Sequence, residues 1–120
     1  IGSLKSDFTP DELVLYVKNK LKVPDGGIQW LDGARTIRTV AVCGGSGGGC
    51  LDLLPNYVDA FITGELHYHD WPSNPSHTII AAGHYYTEVN IADIIALRLA
   101  NTFPSLLVSA AKQQCPYSDK

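Results

Sequence analysis

Apolar and polar residues alternate along this chain in short blocks, and the period changes from block to block. Leu13, Val14, Val17 and Leu21 recur at helical spacing. Thr9-Pro10-Asp11-Glu12 opens that helix: Thr9 can cap it, Pro10 suits its first position, and Glu12 completes a capping box. Pro24 and Gly26-Gly27 end it. The blocks then shorten. Ile28-Gln29-Trp30-Leu31 reads as a strand, residues 37–43 as a second, and Asp32-Gly33 as the hairpin turn joining them. Val40-Ala41-Val42-Cys43 is apolar on both faces, which fits a strand covered on both sides. Residues 51–54 form a short helical pattern. Ala60-Phe61-Ile62-Thr63 reads as a third strand and residues 78–83 as a fourth. A helix follows over about 88–101, with Ile91, Ile94, Ile95 and Leu99 on its apolar side, and residues 105–110 read as a last strand.

The order α-β-β-α-β-α-β-α-β predicts an α/β fold, with a mixed, largely parallel sheet flanked by helices. The 120 residues fit one such domain, and a chain of that length can bury most of its apolar surface. Apolar residues make up 45% and charged residues 18%, an ordinary globular balance. The net charge of −3 comes with scattered Lys and Arg and no basic stripe, so no nucleic-acid contact is indicated. No apolar run reaches the ~20 residues that cross a bilayer, and no signal peptide is visible. An odd count of three cysteines, Cys43, Cys50 and Cys115, then suggests free thiols and a cytoplasmic setting.

Three apolar strands end in unusual residues: Cys43-Gly44-Gly45-Ser46-Gly47, Thr63-Gly64-Glu65 and Gly83-His84. If these strands are parallel, the three ends share the sheet edge where open α/β sheets bind ligands. The glycine loop at residues 44–49 is neither a P-loop, since no Gly-Lys-Ser/Thr is present, nor a full dinucleotide fingerprint. It can face an anion or simply let strand and helix pack closely. Gly44-Gly45-Ser46-Gly47-Gly48 also fits a nucleophile elbow, a match that comes cheaply in so glycine-rich a run. His67-x-His69-Asp70 reads as a polar, aromatic surface segment in preference to a ligand set, and His77 as a surface residue. His84 and Glu88 are the sharpest pair. Imidazole plus carboxylate suits zinc, iron or manganese, while the bland alternative is a capping Glu beside a core His. Glu65, at its strand end, is the candidate for a catalytic role.

Val40-Ala41-Val42-Cys43-Gly44-Gly45-Ser46-Gly47, then Asp59-Ala60-Phe61-Ile62-Thr63-Gly64-Glu65, then Ala82-Gly83-His84 with Glu88, resemble the second half of the Nif-three-like family. Many of its members are described as homologues of a type-two GTP cyclohydrolase I. The opening Ile1-Gly2-Ser3-Leu4 and the helix after Thr9 resemble the start of that half. The resemblance implies one lobe of a two-lobed α/β fold, a homo-oligomer (a toroidal hexamer at full length) and two divalent metal ions between the lobes. From the second half a G-H-x-x-x-E motif gives His84 and Glu88 as metal ligands. The first half supplies a paired-His motif and an Asp, and this chain contains no His-His pair. The resemblance therefore implies the C-terminal portion of a longer protein, a metal-dependent hydrolase when whole and inactive as this piece. The alternative it carries is a non-enzymatic regulatory or protein-interaction factor. Glu65 would orient or deprotonate the attacking water.

Overall fold

In the computed structural model, which describes residues 1–33 and 36–116, five strands form one sheet in the order β1-β3-β4-β5-β2. The strands are β1 (Gly2–Phe8), β2 (Gln29–Leu31), β3 (Ile37–Ser46), β4 (Ala60–Glu65) and β5 (Thr78–Ala81). The helices are α1 (Pro10–Leu21), α2 (His84–Glu88) and α3 (Ile91–Thr102), with 3-10 turns at Gly48–Leu53 and Tyr68–Asp70. The three central strands run parallel, with Val42 beside Ile62 and Ile62 beside Ile80. Both edge strands are antiparallel to their neighbours, β1 to β3 and β2 to β5. The fold is the mixed α/β sheet that the alternation of elements predicts.

Local chemistry accounts for the first helix. The Thr9 hydroxyl accepts from the Glu12 backbone N–H, and the Glu12 carboxylate accepts from the Thr9 backbone N–H at 2.8 Å. The backbone hydrogen bond from Thr9 holds the Glu12 carboxyl below its ordinary range. At the far end Lys22 turns into the left-handed region at φ 57°, and its successor's N–H closes on the Lys18 carbonyl. Leu13 and Val17 face inward and meet Val23, Ile37, Val40, Ala60, Ile80 and Ala82 on one face of the sheet. The other face is smaller. Ala41, Val58 and Phe61 gather Cys43, Cys50, Leu51 and Leu54 beneath the first 3-10 turn. Coverage on two sides explains the near-continuous apolar runs of β4 and β5, whereas β3 departs from the expectation at Val42, which is 68% exposed.

Four expectations are corrected. Asp32-Gly33 is not a hairpin turn: β2 pairs with β5, with Trp30 opposite Ile80, and two strands separate it from β3 in the sheet order. The Gly33 N–H instead donates to the Thr78 hydroxyl, and the glycine lies close against the backbone of His77. A seven-residue strand, β1, occupies a segment with no strand pattern. Only Leu4 and Phe8 pack inward there, and its register with β3 is broken between Ser3 and Phe8. The helix expected from about residue 88 starts a turn earlier as α2 and restarts as α3. Residues 105–110 form no strand; Leu106 and Leu107 stand exposed without a ladder partner.

Candidate functional site

Because β3, β4 and β5 are parallel, their C-terminal ends meet on one edge. Ser46 pairs with Glu65, and the ladder runs on past β5 through Gly83 N–H to the Gly64 carbonyl at 2.7 Å. Gly83, at φ 85°, makes the turn from strand to helix, a conformation that favours glycine. α2 begins immediately with His84, so His84 and Glu88 fall one turn apart on a single helical face.

The imidazole of His84 sits between two carboxylates. Its Nδ1 lies 3.0 Å from Glu65 Oε1, and its Nε2 lies 3.1 Å from Glu88 Oε2. The hydrogen bond that His84 donates to Glu65 comes first in raising its pKa above the ordinary 6.5. Partial burial works against it, and the charge of Glu88 adds to it. All three side chains line an open cleft of about 600 Å³, together with Tyr85 and residues Gln113 and Gln114 of the C-terminal segment. That segment is tied down by the Tyr85 hydroxyl, which donates to the Gln113 carbonyl at 3.1 Å.

Close backbone packing fixes this geometry. A side chain on Gly64 would stand 2.6 Å from the Gly45 carbonyl, 2.6 Å from the Thr87 hydroxyl and 2.9 Å from the His84 Cα. The Gly45 N–H donates to Thr87 Oγ1, and the buried Thr63 hydroxyl donates to the Gly45 carbonyl, both at 3.1 Å. The Thr87 hydroxyl in turn lies 2.9 Å from the His84 carbonyl. Gly45, with φ 68°, also leaves room for the Glu88 carboxylate. Gly45 thus spends its backbone groups on the protein, and at Gly48 the Asp70 carboxylate occupies the adjacent space. Close packing, the second reading of the loop, is the one the geometry supports.

The remaining candidates lie elsewhere. His67 and His69 are exposed on the second 3-10 turn, where the His67 N–H donates to Asp70 at 2.8 Å and the His69 ring meets Tyr68 edge-to-face. His77, expected on the surface, is half-buried and holds the Val58 carbonyl through Nδ1 at 2.6 Å. Among the described residues no hydrogen bond joins Ser46 to a histidine, so the nucleophile elbow has no base. The three cysteines are free thiols. The hydroxyls of Thr87 and Thr63 bind the glycine loop; sequence reasoning missed Thr87, and it placed Thr63 at its strand end without this hydrogen bond.

As a metal site the edge is a partial fit. One imidazole nitrogen and one carboxylate oxygen 3.1 Å apart form a donor pair suited to zinc, iron or manganese. Glu65 sits on the opposite nitrogen, and among the described residues no group of three His, Cys, Asp or Glu side chains is arranged to hold an ion. Catalytic metals usually want three protein ligands. No helix among the described residues is long and apolar enough to cross a membrane.

The sequence matches the Duf34/NIF3 (NGG1p interacting factor 3) family over residues 1–116. It is 33% identical over 90 residues to NGG1-interacting factor 3 of Saccharomyces cerevisiae, covering 68% of this chain and 31% of that protein. It is 34% identical over 71 residues to the GTP cyclohydrolase 1 type 2 homolog of Bacillus subtilis, covering 58% of this chain and 18% of that protein. The chain therefore spans about a third or less of the curated relatives it matches. In fold it is similar to the protein ybgI, of unknown function, with a TM-score of 0.78 and 25% identity over 97% of this chain and 47% of that one. It is also similar to a Bacillus cereus protein related to NIF3, with a TM-score of 0.76 and 20% identity over 99% of this chain and 35% of that one. With its family match running from the first residue to residue 116, the chain belongs to the Duf34/NIF3 family.

Proposed function

We propose that this chain supplies part of a divalent-metal site to a metal-dependent hydrolase acting on a nucleotide or related heterocycle, and that it is the C-terminal portion of that protein. One observation carries the reading: His84 Nε2 and Glu88 Oε2 face each other at 3.1 Å on one helical turn, at the strand edge where such sheets bind ligands. The name of the Bacillus subtilis relative, a GTP cyclohydrolase 1 type 2 homolog, points to the substrate class. An ion held there would supply Lewis acidity and lower the pKa of a bound water. The chain's own residues do the rest of the local work. His84 and Glu88 present one nitrogen and one oxygen to the ion. Gly45 and Gly64 let the helix approach the sheet closely enough to bring them there, and the Tyr85 hydroxyl holds the C-terminal segment along the cleft.

Two donors leave an ion largely to water, so this chain alone should hold little metal and turn over nothing. The test is metal analysis and GTP hydrolysis on the full-length protein and on residues 1–120, each loaded with zinc, iron or manganese. We expect stoichiometric metal and turnover only at full length, both lost in His84→Ala. Full-length protein that carries metal in the His84→Ala variant as it does in wild type would sink the site.

A protein-interaction role is a second reading, favoured by a separate observation. α3 buries none of its residues, and Ile91, Ile94, Ile95 and Leu97 are half or more exposed. Such a face fits a partner surface, whether another part of the protein, another copy in a homo-oligomer or a different protein.

A further inference from the structure

We infer that Glu65 acts as a positioning residue, which holds the Nδ1–H of His84 so that Nε2 presents its lone pair beside Glu88. The inference rests on the reading of His84 and Glu88 as a metal edge. Sequence position suggested a different job for Glu65, the handling of a reacting water. The geometry assigns its carboxylate to the imidazole.

The argument begins with the ring. The two nitrogens of an imidazole point away from each other, so carboxylates on opposite edges cannot serve one point in space. Glu65 meets Nδ1 at 3.0 Å and Glu88 meets Nε2 at 3.1 Å. A neutral imidazole has one N–H and one lone pair, and the partner of the N–H decides which nitrogen is left to ligate. The ligating edge is the one with a second donor in a rigid frame. His84 and Glu88 share one turn of α2, and Glu88 is backed by Gly45, where a side chain would intrude. Glu65 comes from a different element, the last residue of β4. Its backbone neighbour Gly64 lies against the Gly45 carbonyl, the Thr87 hydroxyl and the His84 Cα, so the strand end and the helix start are locked together. A carboxylate delivered by the sheet to the far nitrogen of a histidine is the arrangement that fixes the tautomer of metal-ligating histidines and raises their basicity.

The test uses full-length protein and zinc alone as the probe. Zinc affinity is measured by competition with a chromophoric chelator, and the His84 tautomer by NMR of protein labelled at the histidine nitrogens. Glu65 is half-exposed, so its variants should keep the fold, and a melting curve checks this. Glu65→Ala is expected to weaken zinc by roughly 10–100-fold and to scramble or lose the Nδ1–H signal of His84. Glu65→Gln, whose amide oxygen accepts the same hydrogen bond, should keep that signal and recover most of the affinity. Unchanged affinity and an unchanged tautomer in Glu65→Ala overturn the inference and leave the metal reading standing. So does complete loss of zinc in both Glu65→Ala and Glu65→Gln, matching Glu88→Ala, because that is the behaviour of a direct ligand. Wild-type protein that takes up no zinc sinks the metal reading itself, and this inference with it.

Discussion

The strand edge that carries His84 and the helix that follows it obey different rules. At the edge, Thr63 and Gly64 are buried, hydroxyls bind the glycine loop, and helix and sheet meet through glycines. In α3, a few residues later, no side chain is buried, and Ile94 and Ile95 are 54% and 50% exposed. Both segments read as strongly patterned in the sequence. The difference is where the partner lies. The edge finds its partners within residues 37–88, whereas the apolar side of α3 finds none among the described residues of this chain. A hydrophobic pattern shows that a face is made to be covered. Which surface covers it is a separate question, and here one segment has its answer inside the chain.

The largest effect should come from breaking the edge. Gly64→Ala places a methyl carbon within 3 Å of the Gly45 carbonyl, the Thr87 hydroxyl and the His84 Cα. Two of these are backbone positions in neighbouring elements, so the clash cannot be relieved by rotating a side chain. Overpacking of this kind costs about 1–3 kcal/mol, and we expect the upper part of that range, read as a lower urea midpoint at unchanged slope. His84 should also be displaced from Glu65, with a shifted imidazole NMR signal. A Gly64→Ala protein as stable as wild type would show that the edge is looser than the packing implies.

The site was legible to the extent that its parts are local. The three strand ends could be placed on one edge because fully buried parallel strands read as apolar runs and each ends in glycine or a charged residue. The spacing of four between His84 and Glu88 sufficed to pair them once a helix was expected nearby. Glu65 could be placed on the edge but its hydrogen bond could not, since that depends on where the turn at Gly83 aims the helix. Pairings between distant segments were hidden. β2 has only three residues and finds β5 some fifty positions on, so the Asp32-Gly33 signal next to it pointed to the wrong neighbour. β1 was hidden because an exposed edge strand with a register break needs only Leu4 and Phe8 to face inward. The apolar residues near 106 had β propensity but no ladder to join, and propensity without a partner does not make a strand.

A smaller effect follows from the charge on His84. Its pKa is raised in the folded protein, first by the Glu65 hydrogen bond and then by Glu88, above the ordinary value of 6.5 that the unfolded chain retains. The folded state therefore binds the proton more tightly. Its stabilisation is fully present below pH 6.5 and fades as pH rises through the folded value. Metal-free protein should thus lose a little stability as pH rises above 6.5, and His84→Gln should flatten that slope. If the edge holds zinc as proposed, that binding should run the other way, tightening as pH rises, because the ion needs the nitrogen free of its proton. A metal-free stability that climbs with pH in wild type but not in His84→Gln would contradict the two-carboxylate geometry.

The smallest effect should come from α3, and it is the sharpest measure of the contrast. Ile95→Ala removes a large apolar side chain, a change that costs about 2–5 kcal/mol in a packed core. Ile95 is half-exposed on a helix that buries nothing, so in residues 1–120 the loss should stay within about 0.5 kcal/mol, the usual range for surface positions. Ile80, fully buried in β5 beneath α1, is the internal control, and its alanine variant should fall in the core range. The same Ile95→Ala change in the longer protein proposed above then reads whether the face is covered there. A cost that rises toward the core value on going from residues 1–120 to full length would show that α3 was patterned for a surface this chain does not contain. A cost that stays small in both, at a concentration where self-association is ruled out by sedimentation, would leave the face free for a separate partner. A core-sized cost already in residues 1–120 would erase the contrast, because α3 would then be packed on the sheet like the edge beside it.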